Sequence, residues 1–278
     1  MKPISKTAFY TCGIRAQDAN SPEPICGDIY AERFMNKEAM EVMEQFKIFQ
    51  KNSKFILYRH LMLTESIKKF LKANPKAKVV LIGAGFDTRA YQLGGGEWIE
   101  VDEPAVISHK NSALPIAKCP NPLTRIPIDF AKESLREKLS AYAQKSPTLF
   151  VIEGVLVYLE EEEISILFET LQDLFPHHDI LCDLATRKIV TKYNQSFSKT
   201  IQKMAQFKFL QDNPVAFVQG KGYRIKKISS VFERVYNEGK LVGKPNSVSR
   251  WILNLFFKTA LQGSLACHFE TRGNARHP

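Results

Sequence analysis

Paired cysteines are missing from this chain. Its five cysteines (Cys12, Cys26, Cys119, Cys182 and Cys267) are scattered, odd in number and form no Cys-x-x-Cys. That argues against a disulfide framework or a zinc cage and fits a reducing cytoplasm. No window approaches about 18 consecutive apolar residues, so no spanning helix is expected. The most apolar late stretch, Trp251–Ala260, is broken by Asn254 and Lys258. The apolar core of a signal peptide is also lacking, because Lys6 and Thr7 interrupt the first residues. There is no internal repeat, no low-complexity tract and no Pro/Ser-rich linker. With 278 residues, the chain has room for one large domain or two small ones. Its 44% hydrophobic and 24% charged residues exclude disordered, collagen-like and coiled-coil classes.

Acid is in deficit. Lys and Arg total 39 against 29 Asp and Glu, a formal charge of +10. An anionic partner is one reading and a basic solvated surface the other; the even spread of the cations favours the second. The densest patch, Lys221–Lys227, is short and alternates like a strand with one charged face.

What is present is an alternation of periods. Up to about Asn74 the chain reads as loop, marked by Pro22, Pro24 and Gly27, followed by helices. Ala39, Met43, Phe46 and Phe49 recur at helical spacing between Asn36 and Gln50, and Leu63, Ile67, Phe70 and Leu71 do so within Arg59–Lys72. Short apolar runs follow: Ala77–Ile82, Trp98–Val101, Leu123–Ile128, Thr148–Ile152 and Asp179–Cys182. Each ends in glycine or acid: Gly83-Ala-Gly85, Asp102, Asp129, Glu153-Gly154 and Asp183. Helical patterns at Ser134–Ala143 and Glu160–Phe175 lie between strands, the latter opening on four glutamates that suit a helix N-terminus. This order predicts a parallel sheet covered on both faces. Tyr193–Leu210 and Ser249–Leu261 read as helices, Tyr223–Ser229 and Ser264–Glu270 as strands.

Ligands of such sheets bind outside the carboxyl ends of the strands. The residues to weigh there are Gly83, Gly85, Asp87, Thr88, Asp102, Asp129 and Glu153. Glycine lets backbone approach a ligand where a Cβ would collide. Asp102 follows Gly85 by 17 positions (102 − 85), near the roughly 20-residue offset at which an acid meets ribose hydroxyls. Strand, Gly-x-Gly, helix, strand, Asp therefore reads as a nucleotide or nucleoside site. A dinucleotide needs a third glycine against its pyrophosphate. Here that position is Thr88, preceded by Asp87, an acid that would repel pyrophosphate but tolerate a cationic nucleoside. S-adenosylmethionine is such a ligand, and NAD is not.

The motifs have a recognisable combination. Val80-Leu-Ile-Gly-Ala-Gly-Phe-Asp-Thr-Arg-Ala-Tyr91, Glu100-Val-Asp-Glu-Pro104 followed by Lys110, and Phe150-Val-Ile-Glu-Gly-Val-Leu-Val-Tyr-Leu159 resemble motifs of the leucine carboxyl methyltransferase family. Ser5-Lys-Thr-Ala8, Arg15-Ala16 and Asp28-x-Tyr-Ala31 are similar to its N-terminal region. The likeness covers residues 5 to about 185; beyond that only element order matches. It implies a bacterial-type small-molecule O-methyltransferase among the class I S-adenosylmethionine-dependent enzymes. The implied fold is α/β and Rossmann-like: a seven-stranded, mostly parallel sheet with an antiparallel last strand, N-terminal helices and a helical lid after the fifth strand. The expected division is a cap, 1–74, contributing to the cofactor site, and a core, 75–278, with a helical insertion at about 184–220. By position, Asp102 would hold the ribose, Asp129 and Phe130 would flank the adenine, and Glu153 would take the ammonium. Arg59, with Lys6, would take the carboxylate, while Gly83 and Gly85 let the backbone pass close. Most class I enzymes carry an acid two residues before the first glycine; Leu81 stands there, as is common in this family.

Blander roles compete at several positions. Glu153 and Asp87 could cap helices. His177-His178-Asp179 could suggest metal, but neighbours on a strand face opposite ways, so none is expected. His60 and His109 read as helix-surface histidines rather than bases, and Cys182 as an inert strand residue. Tyr158 could line the acceptor site or belong to the core. Lys199, Lys203 and Lys208 read as a solvated face opposite Phe197, Ile201 and Met204. The expected reaction is methyl transfer to a carboxylate of a small molecule or peptide C-terminus, since a group of pKa about 4 needs no base. A hydroxyl acceptor would require one, with His60, His109 or Tyr158 nominated. An RNA methyltransferase would need a concentrated basic patch that is lacking, and a non-enzymatic cofactor binder stays open. A cytoplasmic monomer or weak dimer is expected, without membrane or nucleic-acid partner.

Overall fold

Residues 2, 4–46, 53–143, 146–196, 206–240, 261 and 263–272 are described by the computed structural model, and the runs expected as strands lie side by side in it. They are β1 (Lys78–Ile82), β2 (Glu97–Asp102), β3 (Leu123–Pro127), β4 (Thr148–Ile152), β5 (His178–Ala185), β6 (Tyr223–Ser230) and β7 (Ser264–Thr271). Their order is β3-β2-β1-β4-β5-β7-β6. β1 to β5 pair in parallel, and β7 runs antiparallel to both β5 and β6.

Burial explains why these strands read as unbroken apolar runs. Every residue of β1 and β4 is buried. Alternate side chains face opposite ways, so Val79 and Leu81 enter one layer while Val80 and Ile82 enter the other. The first layer holds α1 (Thr7–Ala19), α2 (Lys37–Gln45), α3 (Ser53–Ala73) and α10 (Val231–Asn237). The second holds α6 (Leu135–Ser140), α7 (Glu161–Leu174) and α9 (Pro214–Gly220). Each such Val, Leu or Ile contributes about 1.5–3 kcal/mol on burial. At the start of α7, Glu163 accepts a hydrogen bond from the Glu160 N–H at 2.7 Å, and three acidic residues occupy the first turn, where the helix dipole favours them.

The basic patch is the outer edge of the sheet. On β6, Arg224 pairs with Glu270 at 2.5 Å and Lys226 with Asp179 at 2.9 Å. Charged side chains on an edge strand discourage pairing with a second sheet. The helix expected at Tyr193–Leu210 needs correction: α8 spans Arg187–Ser196, and residues 206–210 are not helical. Phe197, Lys199, Ile201, Lys203 and Met204 lie outside the described residues, as do Phe49 and nearly all of the expected helix Ser249–Leu261. Among the described residues no helix is long and apolar enough to cross a membrane.

β2 and β3 lie on one side of β1, and β4 and β5 on the other. The chain thus reverses its direction of growth at β1, leaving a crevice beyond the ends of β1, β2 and β4.

Candidate functional site

The turn after β1 needs its glycines. Gly83 has φ +67° and Gly85 φ +48°, values that side-chain-bearing residues rarely adopt. A Cβ on Gly83 would lie 2.4 Å from Val155 Cγ2, so close packing on the loop after β4 adds a second reason for glycine beside ligand approach. Beyond the turn of residues 83–88, α4 (Arg89–Gln92) begins. The N-terminal motif braces this turn. Arg15 donates to Asp28 at 3.0 Å and to the Phe86 carbonyl at 2.7 Å, and Thr88 donates to Asp28 at 2.6 Å.

At the end of β2, Asp102 accepts from the Gly85 N–H at 2.6 Å and the Glu103 N–H at 2.7 Å. Burial pushes its carboxyl up to about 6, while those two bonds and nearby Lys110 pull the other way. A carboxylate offers about four lone-pair sites, so two remain for hydroxyls. The helix α5 (Pro104–Ala113) follows, and its Lys110 pairs with Glu100 at 2.9 Å, fully buried.

On the far side of β1 stands a charged cluster. Arg89 pairs with both Asp87 and Glu153, the latter at 2.6 Å. Arg59 donates to Glu153 at 3.2 Å and to Asp183 at 2.9 Å. Asp183 also accepts from the Gly154 N–H at 2.6 Å. His60 Nδ1 is 3.4 Å from Glu153, and burial together with Arg89 lowers its pKa, which keeps it neutral. Burial opposes ionisation of Asp87 and Glu153, but the Arg89 guanidinium prevails and holds both carboxyls below their usual range. Three carboxylates and two guanidiniums leave a formal charge of −1. S-adenosylmethionine carries a sulfonium, an ammonium and a carboxylate, net +1, so the cluster complements it. His60, Asp87 and Glu153 have ligand atoms close enough together for a metal, but Arg89 and Arg59 already supply cations to these carboxylates.

One cavity of about 1170 Å³ joins the two regions, more than the roughly 300–1,000 Å³ typical of one ligand pocket. Gly83, Gly85, Asp87, Asp102, Glu153, Arg59 and the half-exposed Phe130 line it. Two expected residues are not brought there. Lys6 turns to Glu38 at 3.3 Å. Asp129 turns to Lys2 at 2.7 Å, which also holds Glu103 at 2.9 Å. Asp87 is not a bare acid, since Arg89 compensates it; the expectation that its charge alone rejects pyrophosphate is corrected. Sequence reasoning missed Arg89 and Asp183. Asp183 carried a signal, an acid ending the fifth strand. His60 is not a surface histidine, since it is buried and lines the cavity; the half-buried His109 packs its ring against Phe9 and Phe86, with centroids 5.3 and 5.2 Å away. His178 bonds Tyr223 at 2.9 Å, and Asp179 bonds His268 and Lys226, away from the cavity.

Asp102→Asn is the sharpest test of the ribose end. Bonds to a charged group contribute on the order of 1.5–3 kcal/mol, so S-adenosylhomocysteine affinity should fall roughly 10–150-fold in calorimetry; unchanged affinity would refute the role. Wild-type affinity should also fall as pH drops through about 6, where Asp102 takes up a proton. The stability effect has the opposite sign. A raised folded pKa means the folded state binds the extra proton between about pH 4 and 6, so stability falls as pH rises across that window. The asparagine variant should lack that decline in urea titrations.

Comparison with known proteins gives concordant matches. A sequence profile described as leucine carboxyl methyltransferase matches residues 8–172. The tetracenomycin polyketide synthesis O-methyltransferase TcmP of Streptomyces glaucescens is 26% identical over 163 residues, 58% of this chain and 58% of that protein. A putative S-adenosyl-L-methionine-dependent methyltransferase of Mycolicibacterium paratuberculosis is 26% identical over 196 residues, 63% of this chain and 64% of that protein. The chain thus spans 58% to 64% of the length of these curated relatives. A solved putative methyltransferase from Thermobifida fusca shares the fold with TM-score 0.55 at 14% identity, covering 93% of this chain and 94% of its own. A DUF574 family protein from Streptomyces avermitilis does so with TM-score 0.54 at 12% identity, covering 91% and 99%.

Proposed function

We propose, from the premise that this chain belongs to the leucine carboxyl methyltransferase family, that it transfers a methyl group from S-adenosylmethionine to a carboxylate oxygen of a small molecule or peptide C-terminus. The observation that carries this reading is the single cavity with Asp102 at one end of the strand switch and the net −1 cluster at the other. Asp102 would hold the ribose, Phe130 would face the adenine, and Glu153 and Asp183 would take the ammonium beside Arg59. When bound, S-adenosylmethionine supplies an electrophilic methyl group whose bonding pair stays on sulfur. The chain's own task is to hold the acceptor oxygen in line and exclude water, and such positioning can contribute roughly 7–11 kcal/mol. Residues 1–74 would serve as the cap of this site, and 75–278 as its core, with about 184–220 inserted as a lid.

A carboxylate acceptor needs no base. Activity at saturating cofactor should therefore be flat from about pH 6 to 9, and the product should be an ester that mild alkali cleaves to methanol. One observation favours a hydroxyl acceptor as the second reading: His60 lines the cavity and is kept neutral, able to accept a proton. Tyr158 is a poorer candidate, because burial raises its pKa. An alkali-stable product, with activity lost in His60→Ala, would select that reading.

A further inference from the structure

Beyond the charged cluster the cavity changes character. Its wall there is built from rings on separate elements: Tyr10 on α1, Phe46 after α2, Phe55 on α3, Tyr193 on α8, Phe207, and Phe232 on α10. Tyr10 stacks on Phe46 at 4.8 Å and 22°, and Phe55 on Phe232 at 6.0 Å and 19°. Phe55 and Arg59 are four apart on α3 and share a face, so the ring wall runs directly into the cluster. Tyr193 feels the Arg59 charge, and Tyr10 feels Tyr193. None of the cavity-lining residues named on this wall is acidic. Tyr10 is 7% exposed, and among the described residues its buried hydroxyl has no hydrogen-bond partner. An unpaired buried hydroxyl is costly unless a ligand completes it.

We infer that this end is an acceptor subsite for a flat aromatic carboxylate, whose ring system lies among these side chains and whose non-attacking oxygen accepts a hydrogen bond from the Tyr10 hydroxyl. The inference rests on the reading that the adjoining part of the cavity holds S-adenosylmethionine, and it narrows the acceptor to an aromatic small molecule rather than a peptide end. Burial holds the Tyr10 pKa up, so the hydroxyl keeps its proton at neutral pH and can donate. A purely apolar wall would prefer the acid with more aliphatic area. A ring-lined wall prefers aromatic faces, by roughly two- to tenfold per ring pair.

The probes are 2-naphthoate and its saturated counterpart, decahydronaphthalene-2-carboxylate, titrated calorimetrically into the full chain with S-adenosylhomocysteine present. The aromatic acid should bind at least about fivefold tighter. Tyr10→Phe should weaken 2-naphthoate by about tenfold or more, leave S-adenosylhomocysteine affinity unchanged, and keep or raise the melting temperature, since an unpaired hydroxyl is removed. Equal or tighter binding of the saturated acid overturns the inference on the wild-type chain alone, whatever the variant does. So does a folded Tyr10→Phe protein that binds 2-naphthoate like wild type. Tyr10-dependent binding of 2-naphthoate without methyl ester formation from S-adenosylmethionine would uphold the subsite and overturn the transfer reading instead.

Discussion

Arg89→Ala should lower the unfolding free energy by about 3–5 kcal/mol, the usual cost of removing one partner from a buried ion pair. Arg89 is 1% exposed and is the shared cation of Asp87 and Glu153. Without it Asp87 loses its guanidinium partner and Glu153 keeps only Arg59, so Asp87 is driven towards its protonated form. The acid limb of the stability profile should change with it. In the wild type both groups have depressed folded pKa values, so their contribution is present above the unfolded values near pH 4 and lost as pH falls further. The variant should show little of that acid-dependent loss. Arg89→Lys keeps the charge but not the two-sided fork and should fall between. Urea titrations at several pH values measure all three. A loss below about 1 kcal/mol would mean that the cluster behaves like an exposed pair.

Glu100→Leu should cost a similar amount for a different reason. Glu100, on β2, is fully buried between Lys110 at 2.9 Å and Arg125 at 2.8 Å. Its removal strands two cations, at about 3–5 kcal/mol. Adding Lys110→Met should recover part of the loss. Arg125 would keep its bonds to Asn111, the Leu114 carbonyl and Tyr91, so it is left in place. A double variant no better than the single one would show that Lys110 does not compete for the same charge. Glu100 lies away from the cavity lining, so the folded fraction of the single variant should bind S-adenosylhomocysteine normally.

β1, β2 and β4 were legible because they are buried on both faces and stop at a glycine or an acid, and the exposed edge strand β6 because its charges alternate. Asp102 and Glu153 were legible for the same reason: strand ends put polar groups at the crevice. Partner choice was not. Arg89 and Glu153 are 64 positions apart, and no local pattern says which carboxylate a guanidinium will reach. The bracing of the glycine turn by Arg15 and Asp28 was hidden likewise, though both residues stood within the motifs that suggested the family. Lys6 was chosen for its place in a motif, yet its ammonium pairs with Glu38 while the cavity is lined by its neighbours Ser5 and Thr7. The start of α8 was missed although Thr186, a residue of N-cap type, stands just before it; the cations Arg187 and Lys188 are unfavourable in a first turn and masked the signal.

The insertion of β7 between β5 and β6 sets an order of events during synthesis. β6 is made earlier, yet among the described residues it pairs only with β7. Until β7 leaves the ribosome, the nascent chain therefore carries β6 with no partner and β5 with one open edge. Such edges are templates for pairing with other chains. The charges of Arg224 and Lys226 stand on β6, the strand left without a partner, where repulsion between neighbouring nascent chains discourages pairing.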